Sequence, residues 1–406
     1  MNHKILITEL PISGLVGETP GALDQAVRVS CLVSEKRLLE VRCERLDKIS
    51  GLGNIYVGRV QKVVKNIQAA FIEIAPGMPC YYPMNKKRTP VFVKKMPSKE
   101  LVQGDEILVQ IEKESVKTKA PTVTTNLNLS GRYVVLTTEN TRIGFSSKLS
   151  RETKSRLQTL IAENYHADFG LIVRTNAANA EEQELLSEIQ ALNKKLTDII
   201  QYASTRTCFS CVYRAMPKYM TYLQNSYQQE VAEIVTDLPE IYDEIREYGK
   251  QYPAFSQTPV RLYEDPMLPL SKLYNLECEI SRALSKKVWL RSGGYLVIEP
   301  TEALTVIDVN TGKSAAKKDP QKHFLKINQE AAEEIALQLR LRNISGIIII
   351  DFIDLASKEE NQLVIDTLKR AVKNDSVPVQ VLDMTKLYLV EVTRKKIEKT
   401  LKEQLT

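Results

Sequence analysis

The sequence predicts a mixed α/β protein of roughly two to four compact units, and three observations lead to this fold class. The chain has 406 residues, of which 43% are hydrophobic, enough to form real cores. Short segments in its first third alternate between apolar and polar residues, as the strands of a small barrel do. In its last third, strand patterns alternate with helical ones, which favours a parallel sheet covered by helices.

The first third is predicted to consist mainly of strands. Residues 28–44 alternate between apolar and polar side chains around a central SEK, which is typical of a hairpin. Two more strands are expected within residues 54–74, and residues 105–112 alternate strictly. Several short strands separated by turn residues predict a Greek-key barrel of the OB type.

The surplus of positive charge lies entirely in this part of the chain. The net charge is +6, and residues 1–125 contain 19 Lys and Arg against 13 Asp and Glu, whereas the remainder contains 37 of each. No acidic residue occurs between Glu73 and Glu100. Such a run predicts a surface for a polyanion, although a solvated loop would give the same pattern. Its basic residues are Lys86, Lys87, Arg88, Lys94, Lys95 and Lys99.

Aromatic residues are interleaved with the basic run, and on an OB barrel exposed rings of this kind stack on bases. They are Tyr56, Phe71, Tyr81 and Tyr82. Phe71 lies within AAFIEI and could instead belong to the core. Tyr81 is therefore the better stacking candidate.

The middle of the chain is predicted to combine strands and helices. Strands are expected in GRYVVLTT and GLIVRT, on either side of a helix at 150–163. A long helix is expected at about 180–203, followed by mostly polar helix to about residue 250. Four prolines between residues 253 and 269 indicate a loop-rich region before the last unit.

The last unit is predicted to alternate strands and helices. Residues 303–309 and 347–353 are apolar runs typical of buried strands. Between them, apolar residues recur every three or four positions and predict a helix up to about Asn343, which Gly346 ends. A second helix is expected at 358–373 and a further strand at 378–382. A strand–helix–strand unit of this length implies a right-handed crossover between parallel strands.

Asp308 and Asp351 end the two apolar runs, so both carboxylates are expected at the sheet edge where α/β proteins bind ligands. Two carboxylates held close together raise each other's pKa unless a cation lies between them. Oxygen ligands favour Mg²⁺ or Mn²⁺ over zinc. Asn310 could orient a carboxylate or a phosphate, and Glu302 and Asp354 are further acids expected within reach. Equally, the two aspartates could merely cap strand ends or turns.

Several classes of protein are not expected. No apolar run approaches the roughly 18 residues that span a bilayer, and the N-terminus lacks a signal pattern, so a cytoplasmic protein is expected. Six cysteines do not suggest a disulfide framework, and three histidines argue against a His-based metal site. Cys208 and Cys211 form a C-x-x-C, which more often reflects buried thiols than a metal or redox site.

Several motifs, in the same order along nearly the whole chain, resemble those of the ribonuclease E/G family. They are VGRV, AAFIEI, GLIVRT, TEALTVIDVNTG and EAAEEIALQLRLRNISGIIIIDFIDL. The last two are similar to the metal-site segments of that family and are very specific.

The resemblance implies a Mg²⁺-dependent endoribonuclease that cuts single-stranded, AU-rich RNA in rRNA and mRNA processing and decay. Such an enzyme leaves a 5′-phosphate and a 3′-hydroxyl. Asp308 and Asp351 would hold the Mg²⁺ ion, which Mn²⁺ could replace. Asn310 would complete the catalytic set by placing the scissile phosphate or its water.

The resemblance also implies two regions that contact RNA outside the metal site. On the barrel, Phe71 and Tyr81 would stack on bases and Lys119 would contact the backbone. Tyr81 stands where phenylalanine is more familiar, a change that preserves stacking. The second region is a pocket that prefers a 5′-monophosphate end. Its implied residues are Gly131, Val135, Arg174 and Thr175.

The pocket is chemically sensible, because an arginine can pair bidentately with a terminal phosphate. The loop TRIGFSSKLS departs from the familiar pattern, and Lys148 within it could add a cation.

The architecture implied by the resemblance is a scaffold interrupted by two insertions and followed by a catalytic unit. An RNase H-like scaffold would comprise residues 1–48 and 217–285, with an OB-fold RNA-binding domain at 49–123, a 5′-sensor region at 124–216 and a DNase I-like catalytic domain at 286–406.

Familiar members also carry a CPxC-type segment whose thiolates share zinc between two protomers. This sequence ends at Thr406 and has no cysteine after Cys278. Zinc is therefore not expected at the usual family position, and a homo-oligomer would need other contacts.

Two other functions fit parts of the sequence. A non-catalytic RNA-binding or assembly factor that retains the fold would be expected to lack Asp308, Asn310 or Asp351, and all three are present. A Mg²⁺-dependent nuclease acting on DNA is disfavoured by the barrel and pocket residues, although the carboxylates alone would suit it.

Overall fold

The computed structural model divides the chain into two units. One unit comprises residues 1–48 with 229–406, and the other residues 49–228. The residues that the structure describes are 3–16, 25–34, 37–46, 51–84, 90–94, 100–113, 120–165, 168–226, 231–251, 258–312 and 320–405. The predicted basic residues outside these ranges are Lys86, Lys87, Arg88, Lys95, Lys99 and Lys119. Within the ranges, no helix is long and apolar enough to cross a membrane.

The described residues form strands and α-helices distributed along the whole chain. The strands are β1 (His3–Pro11), β2 (Ala26–Ser34), β3 (Arg37–Arg45), β4 (Ile55–Val64), β5 (Ala69–Ala75), β6 (Met78–Pro83), β7 (Glu106–Lys113), β8 (Thr122–Thr124), β9 (Asn128–Ser130), β10 (Val134–Thr137), β11 (Ile143–Phe145), β12 (Gly170–Val173), β13 (Cys211–Tyr213), β14 (Val231–Thr236), β15 (Val260–Leu262), β16 (Lys287–Trp289), β17 (Tyr295–Pro300), β18 (Leu304–Asn310), β19 (Gly346–Asp351), β20 (Val379–Met384) and β21 (Leu389–Arg394). The α-helices are α1 (Ser13–Val16), α2 (Arg151–Asn164), α3 (Glu182–Ala203), α4 (Lys218–Ser226), α5 (Pro239–Gln251), α6 (Leu270–Leu273), α7 (Leu276–Leu284), α8 (Pro320–Leu341), α9 (Lys358–Ala371) and α10 (Leu401–Leu405).

In the first unit, two distant parts of the sequence share a five-stranded sheet in the order β15–β14–β1–β2–β3. β2 and β3 form the predicted antiparallel hairpin. β14 runs parallel to β1, with Ile234 beside Ile5. The prediction of helix for residues 231–236 is therefore wrong. This segment, VAEIVT, is rich in β-branched residues, and its pairing with β1 decides its conformation.

In the second unit, five strands close into a barrel in the order β4–β5–β6–β8–β7, with β7 pairing back to β4. Only β6 and β8 are parallel among these neighbours. The predicted small Greek-key barrel is confirmed, and it has five strands. Its interior is filled by Val60, Ala70, Ile72, Ile74, Cys80, Tyr82, Ile107, Val109, Ile111 and Val123.

A second sheet of this unit has the order β11–β12–β10–β9 and shares a core with α2 and α3. β10 and β12 are the strands predicted in GRYVVLTT and GLIVRT, and they pair antiparallel. α2 begins after Ser150, whose hydroxyl accepts the backbone N–H of Thr153 at 3.1 Å. α3 is the predicted long helix.

The first unit also contains a six-stranded sheet in the order β16–β17–β18–β19–β21–β20. β18 and β19 are parallel, as predicted, and α8 lies between them in the chain. α8 and α9 cover one face, where Ile307 and Ile348 are fully buried. On the other face Ile347 is 51% exposed. The prediction of a strand buried throughout residues 347–353 is therefore wrong for one of the two faces.

α8 ends at Leu341, within two residues of its predicted end, but Gly346 is not the residue that ends it. Asn343 adopts the left-handed conformation (φ 50°). The backbone N–H groups of Asn343 and Ile344 donate to the carbonyls of Arg340 (3.3 Å) and Leu339 (3.0 Å). This hydrogen-bond pattern is the Schellman motif, in which asparagine can replace glycine. Gly346 (φ 91°) instead begins β19.

Candidate functional site

The parallel pairing of β18 and β19 brings Asp308 and Asp351 side by side. The two residues are register partners, the last pair of this ladder. Neighbouring strands lie about 4.8 Å apart, so the two side chains start from adjacent positions on the same sheet face. The structure therefore places the two predicted metal ligands next to each other, at the carboxyl ends of parallel strands.

Asp308 and Asn310 lie on the more exposed face of the sheet, because the residues that alternate with them, Ile307 and Val309, enter the core beneath the helices. The Asn310 side chain donates a hydrogen bond from Nδ2 to Asp308 Oδ2 at 2.7 Å. Asn310 thus orients this carboxylate, one of the two roles considered for it. An amide nitrogen has a second N–H, which can donate to an incoming phosphate oxygen.

The electrostatics at this edge favour a cation. Burial, together with the negative charges of Asp308 and Asp354, raises the pKa of the Asp351 carboxyl. Repulsion between like charges has this effect, and a bound cation would relieve it. Glu302 does not share the site, because it lies in the turn before β18, at the end of that strand opposite to Asp308, and the strand from Leu304 to Asp308 alone spans about 13 Å. The expectation that Glu302 is within reach is wrong.

This donor set fits a Mg²⁺ ion that keeps several waters. Mg²⁺ is usually held by one or two carboxylates, with water and substrate phosphate at its other positions. Asp308 and Asp351 supply the carboxylates. Among the described residues, no group of three or more His, Cys, Asp or Glu side chains is arranged to hold a metal. Two carboxylates leave the remaining positions of such an ion to water and substrate, which is the arrangement of an open site.

On the barrel, Phe71 of β5 and Tyr81 of β6 are cross-strand partners. Their rings pack edge to face, with centroids 6.2 Å apart. Both are partly exposed, because alternation turns the neighbouring Ile72 and Cys80 into the barrel. Phe71 is therefore not a core residue, and the alternative that assigned it to the core is wrong. The third predicted RNA contact, Lys119, lies outside the described residues.

Two exposed lysines that sequence reasoning missed flank this aromatic pair. Lys62 of β4 is the partner of Phe71. Tyr81 pairs with Thr122 of β8, which also pairs with Lys113 of β7. We call these five residues the barrel row. A bulge in β4 shifts the register, so no sequence signal could have placed Lys62 beside Phe71.

Lys94 belongs to the predicted basic run, but it is held by a carboxylate. Its Nζ lies 2.8 Å from Glu106 Oε2, and Arg59 lies 3.4 Å from the other carboxylate oxygen. The hydrogen bond from Lys94, with the added effect of Arg59, lowers the pKa of Glu106. This part of the run is therefore an ion-pair cluster on the barrel and not a loop of unpaired cations.

Arg174 and Gly131, two of the predicted 5′-phosphate pocket residues, are in direct contact. The Arg174 guanidinium donates to the Gly131 carbonyl at 2.6 Å. Gly131 lies against Glu188 of α3, and a Cβ added to Gly131 would be 2.4 Å from Glu188 Oε1. Glu188 is buried and accepts the backbone N–H groups of residues 132–134. Sequence reasoning missed Glu188, which lies on a helix whose amphipathic pattern carries no signal for this contact.

Thr175 and the loop TRIGFSSKLS also meet. Thr175 Oγ1 lies 3.0 Å from Ser146 Oγ. The backbone N–H of Lys148 also donates to Ser146 Oγ, at 3.4 Å. The loop that departs from the familiar pattern therefore reaches the predicted pocket. Val135 lies on β10 beside Ile172 and is half-buried.

The C-x-x-C lies beside the barrel, where Cys208 is partly buried and Cys211 is exposed. The Cys211 thiol donates to the carbonyl of Tyr213 at 3.3 Å. The prediction of buried thiols is wrong for Cys211, because β13 is an edge strand and this residue faces outward.

Known proteins match this chain over most of its length. The model of the Ribonuclease E/G family matches residues 128–397. Ribonuclease G of Escherichia coli (strain K12) is 32% identical over 382 residues, which cover 91% of this chain and 77% of that protein. The chain belongs to the ribonuclease E/G family.

Other relatives carry both names of this ribonuclease E/G family. Ribonuclease E of Nostoc sp. is 35% identical over 356 residues, 85% of this chain and 51% of that protein. Ribonuclease G of Haemophilus influenzae is 32% identical over 385 residues, 92% of this chain and 78% of that protein. The chain thus spans about half of the ribonuclease E relative and about three quarters of the ribonuclease G relatives. Membership of the family supports an endoribonuclease role.

Proposed function

We propose that this ribonuclease E/G family member is a Mg²⁺-dependent endoribonuclease that hydrolyses single-stranded, AU-rich RNA and leaves 5′-phosphate and 3′-hydroxyl ends. One observation carries the proposal. Asp308 and Asp351 are register partners at the carboxyl ends of two parallel strands, and Asn310 is hydrogen-bonded to the first of them.

The side chains at this edge have distinct roles. Asp308 and Asp351 would hold Mg²⁺, which when bound activates water and neutralises charge on the phosphate. Asn310 keeps the Asp308 carboxylate in one orientation through its 2.7 Å hydrogen bond. Its second amide N–H is available for a phosphate oxygen, which would place the scissile bond above the carboxylate pair.

The other unit would bind the RNA away from the bond that is cut. In the barrel row, Phe71 and Tyr81 offer rings to bases while Lys62 and Lys113 offer cations to the phosphates. Arg174, with Gly131, Val135 and Thr175, would receive a 5′-monophosphate end. RNA with such an end would therefore be cleaved faster than RNA with a 5′-hydroxyl. The cellular role would be the processing and decay of rRNA and mRNA in the cytoplasm.

A cleavage assay tests the proposal. The substrate is a short AU-rich single-stranded RNA bearing either a 5′-monophosphate or a 5′-hydroxyl, incubated with Mg²⁺ or with EDTA. We expect internal cuts that need Mg²⁺ and are faster on the monophosphorylated RNA. Asp308→Asn and Asp351→Asn should abolish cleavage while leaving the RNA affinity measured in EDTA nearly unchanged.

Asp366→Asn is the matched control, because Asp366 is exposed on α9, the helix that covers the opposite face of the sheet. It should cleave like the unmodified protein. Unchanged turnover in Asp308→Asn would contradict the metal assignment. Tight binding without cleavage by any form would favour the alternative of a non-catalytic RNA-binding factor.

A further inference from the structure

The face that carries Asp308 also carries an aromatic pair, one ring exposed and the other partly exposed, that the proposed function does not use. Trp289 of β16, the only tryptophan in the chain, is 64% exposed. It is the cross-strand partner of Tyr295 on β17, and the two ring centroids are 5.3 Å apart. Lys287 Nζ lies 4.0 Å from the Trp289 ring centroid and 3.5 Å from that of Tyr295.

Strand register places this pair beside the carboxylate site. Tyr295 is the direct partner of Asn310 in the β17–β18 ladder. Lys287 pairs with Val297, which in turn pairs with Asp308. Two strand spacings separate the backbones of β16 and β18, about 10 Å. Trp289, Tyr295 and Asn310 therefore form one row across the three strands. Lys287, Val297 and Asp308 form the neighbouring row.

The hairpin that carries the pair is fixed to the rest of the unit. The backbone N–H groups of Arg291 and Ser292 donate to the Glu330 carboxylate of α8, at 2.5 and 3.1 Å. Gly294 lies so close to β18 that a Cβ there would be 2.8 Å from the Asn310 carbonyl oxygen. The rings are thus held at a set distance from the carboxylate pair.

Burial in the core does not explain the pair, since most of the Trp289 side chain faces solvent. Stabilising an edge hairpin would account for contact between the rings, but it would not require a cation over both of them or a position next to Asn310. Single-stranded nucleic acid is bound by this combination of exposed rings, which stack on bases, and a nearby cation, which meets the phosphates.

We propose that Trp289 and Tyr295 form a stacking platform for a base of single-stranded RNA next to the cleaved bond, with Lys287 contacting the adjoining phosphate. The inference rests on the proposed function, since it assigns RNA to the same sheet face. It adds a substrate-positioning element on the catalytic unit itself, distinct from the barrel row.

The first test is binding without cleavage. The Asp308→Asn protein in EDTA is titrated with a ten-nucleotide AU-rich RNA, and the fluorescence of Trp289 is followed together with the anisotropy of a dye on the RNA. We expect RNA to quench the tryptophan. Trp289→Ala should weaken binding about tenfold, because stacking on one base contributes about that factor, whereas Trp289→Phe should retain most of the affinity.

Tyr202→Ala is the matched control. Tyr202 is 53% exposed on α3 and has the Arg206 guanidinium 4.0 Å from its ring centroid, so it is another exposed ring under a cation. This variant should bind RNA as the parent does.

The second test identifies the base. An abasic nucleotide is placed at each position around the cleavage site, and affinity is measured with and without Trp289→Ala. At one position, the loss of affinity caused by the abasic nucleotide and the loss caused by Trp289→Ala should not add, because both changes remove the same contact. Additive losses at every position, or unquenched fluorescence on a fully bound RNA, would overturn the proposal. A change of self-association in Trp289→Ala with unchanged RNA affinity would overturn it in favour of a protein contact.

The two proposals can fail separately. Quenching and a non-additive position without any cleavage would keep the platform and contradict the nuclease function. Mg²⁺-dependent cleavage with Trp289→Ala as active and as tightly binding as the parent would keep the nuclease function and contradict the platform.

Discussion

Hydrogen bonds at the two predicted sites show how neighbouring residues orient the groups that would contact metal or phosphate. Asn310 donates to one oxygen of Asp308 and so leaves the other oxygen to a cation. Glu188 accepts three backbone N–H groups, and the turn it holds carries Gly131, whose carbonyl accepts from Arg174. Partners of this kind commonly change affinity or activity by about 10- to 100-fold when they are removed from metal sites.

Arg174 offers a prediction at the scale of one residue. Arg174→Ala should reduce the advantage of 5′-monophosphorylated RNA over 5′-hydroxyl RNA, because the planar guanidinium is lost as a partner for the terminal phosphate. Arg174→Lys should recover part of this preference, since lysine restores the positive charge but not the two parallel N–H donors of the guanidinium. The measurement is cleavage rate on the two substrates.

Equal loss on both substrates would instead make Arg174 a structural residue that supports the Gly131 turn. Thermal unfolding of the same variants separates these two roles, since a pocket residue can lose the preference without a large change in stability.

At the scale of elements, the sequence predicted the arrangements in which the paired elements are close together along the chain. β18, α8 and β19 follow one another in the chain, so apolar periodicity and the crossover rule together placed Asp308 beside Asp351. β14 could not be found in this way, because its partner β1 lies at the start of the chain, far from it in sequence. At residues 231–236, pairing with a distant strand decides the conformation and the local sequence pattern does not.

The aromatic platform was missed for a related reason. KVWL and YLVI each suggest a strand, but pairing of Trp289 with Tyr295, and of Tyr295 with Asn310, depends on register. Period-two alternation indicates which residues share a face within one strand, and it does not indicate which residues of neighbouring strands are opposite. The single tryptophan in an alternating segment was the signal available.

The barrel row supports a prediction about salt. Lys62→Gln combined with Lys113→Gln should lower the slope of log affinity against log salt by about 1.4, because each phosphate contact on a single strand contributes about 0.7. Lys250→Gln, on the exposed side of α5 and paired with Glu247, is the control and should leave the slope unchanged. A slope that stays the same in the double variant would mean that these lysines do not meet phosphate.

A buried ion pair supports a prediction about stability. Arg394 of β21 binds Asp375 through two hydrogen bonds, 2.8 and 3.1 Å, and donates to Asn343 Oδ1 at 2.7 Å. Both side chains of the pair are almost fully buried. Arg394→Met should lower the free energy of unfolding by about 3–5 kcal/mol, because it leaves the Asp375 charge buried without its partner.

Urea unfolding measures this loss. Lys369→Met is the control, because its partner Asp383 is 3.9 Å away and 97% exposed, and such surface pairs contribute less than about 1 kcal/mol. If Arg394→Met lowered the free energy of unfolding as little as the control does, the C-terminal end of α8 at Asn343 would be held without the ion pair.

At the scale of the whole molecule, the carboxylate pair and the predicted RNA-binding residues of the barrel and pocket belong to different units, each with its own core. Changes in the barrel row should therefore act on affinity, whereas changes at Asp308 or Asp351 should act on turnover. In the proposed function, the barrel and the pocket would therefore add RNA contacts to those of the unit that carries the carboxylate pair.

The most direct test of the central claim is metal rescue of the carboxylate pair. In Asp308→Cys, a thiolate replaces a hard oxygen ligand, so we expect cleavage to be lost with Mg²⁺ and partly restored by Mn²⁺ or Cd²⁺, with Asp308→Ala restored by neither. Full activity of Asp308→Cys in Mg²⁺, or equal behaviour of the cysteine and alanine variants with every ion, would contradict the account that Asp308 holds the catalytic metal.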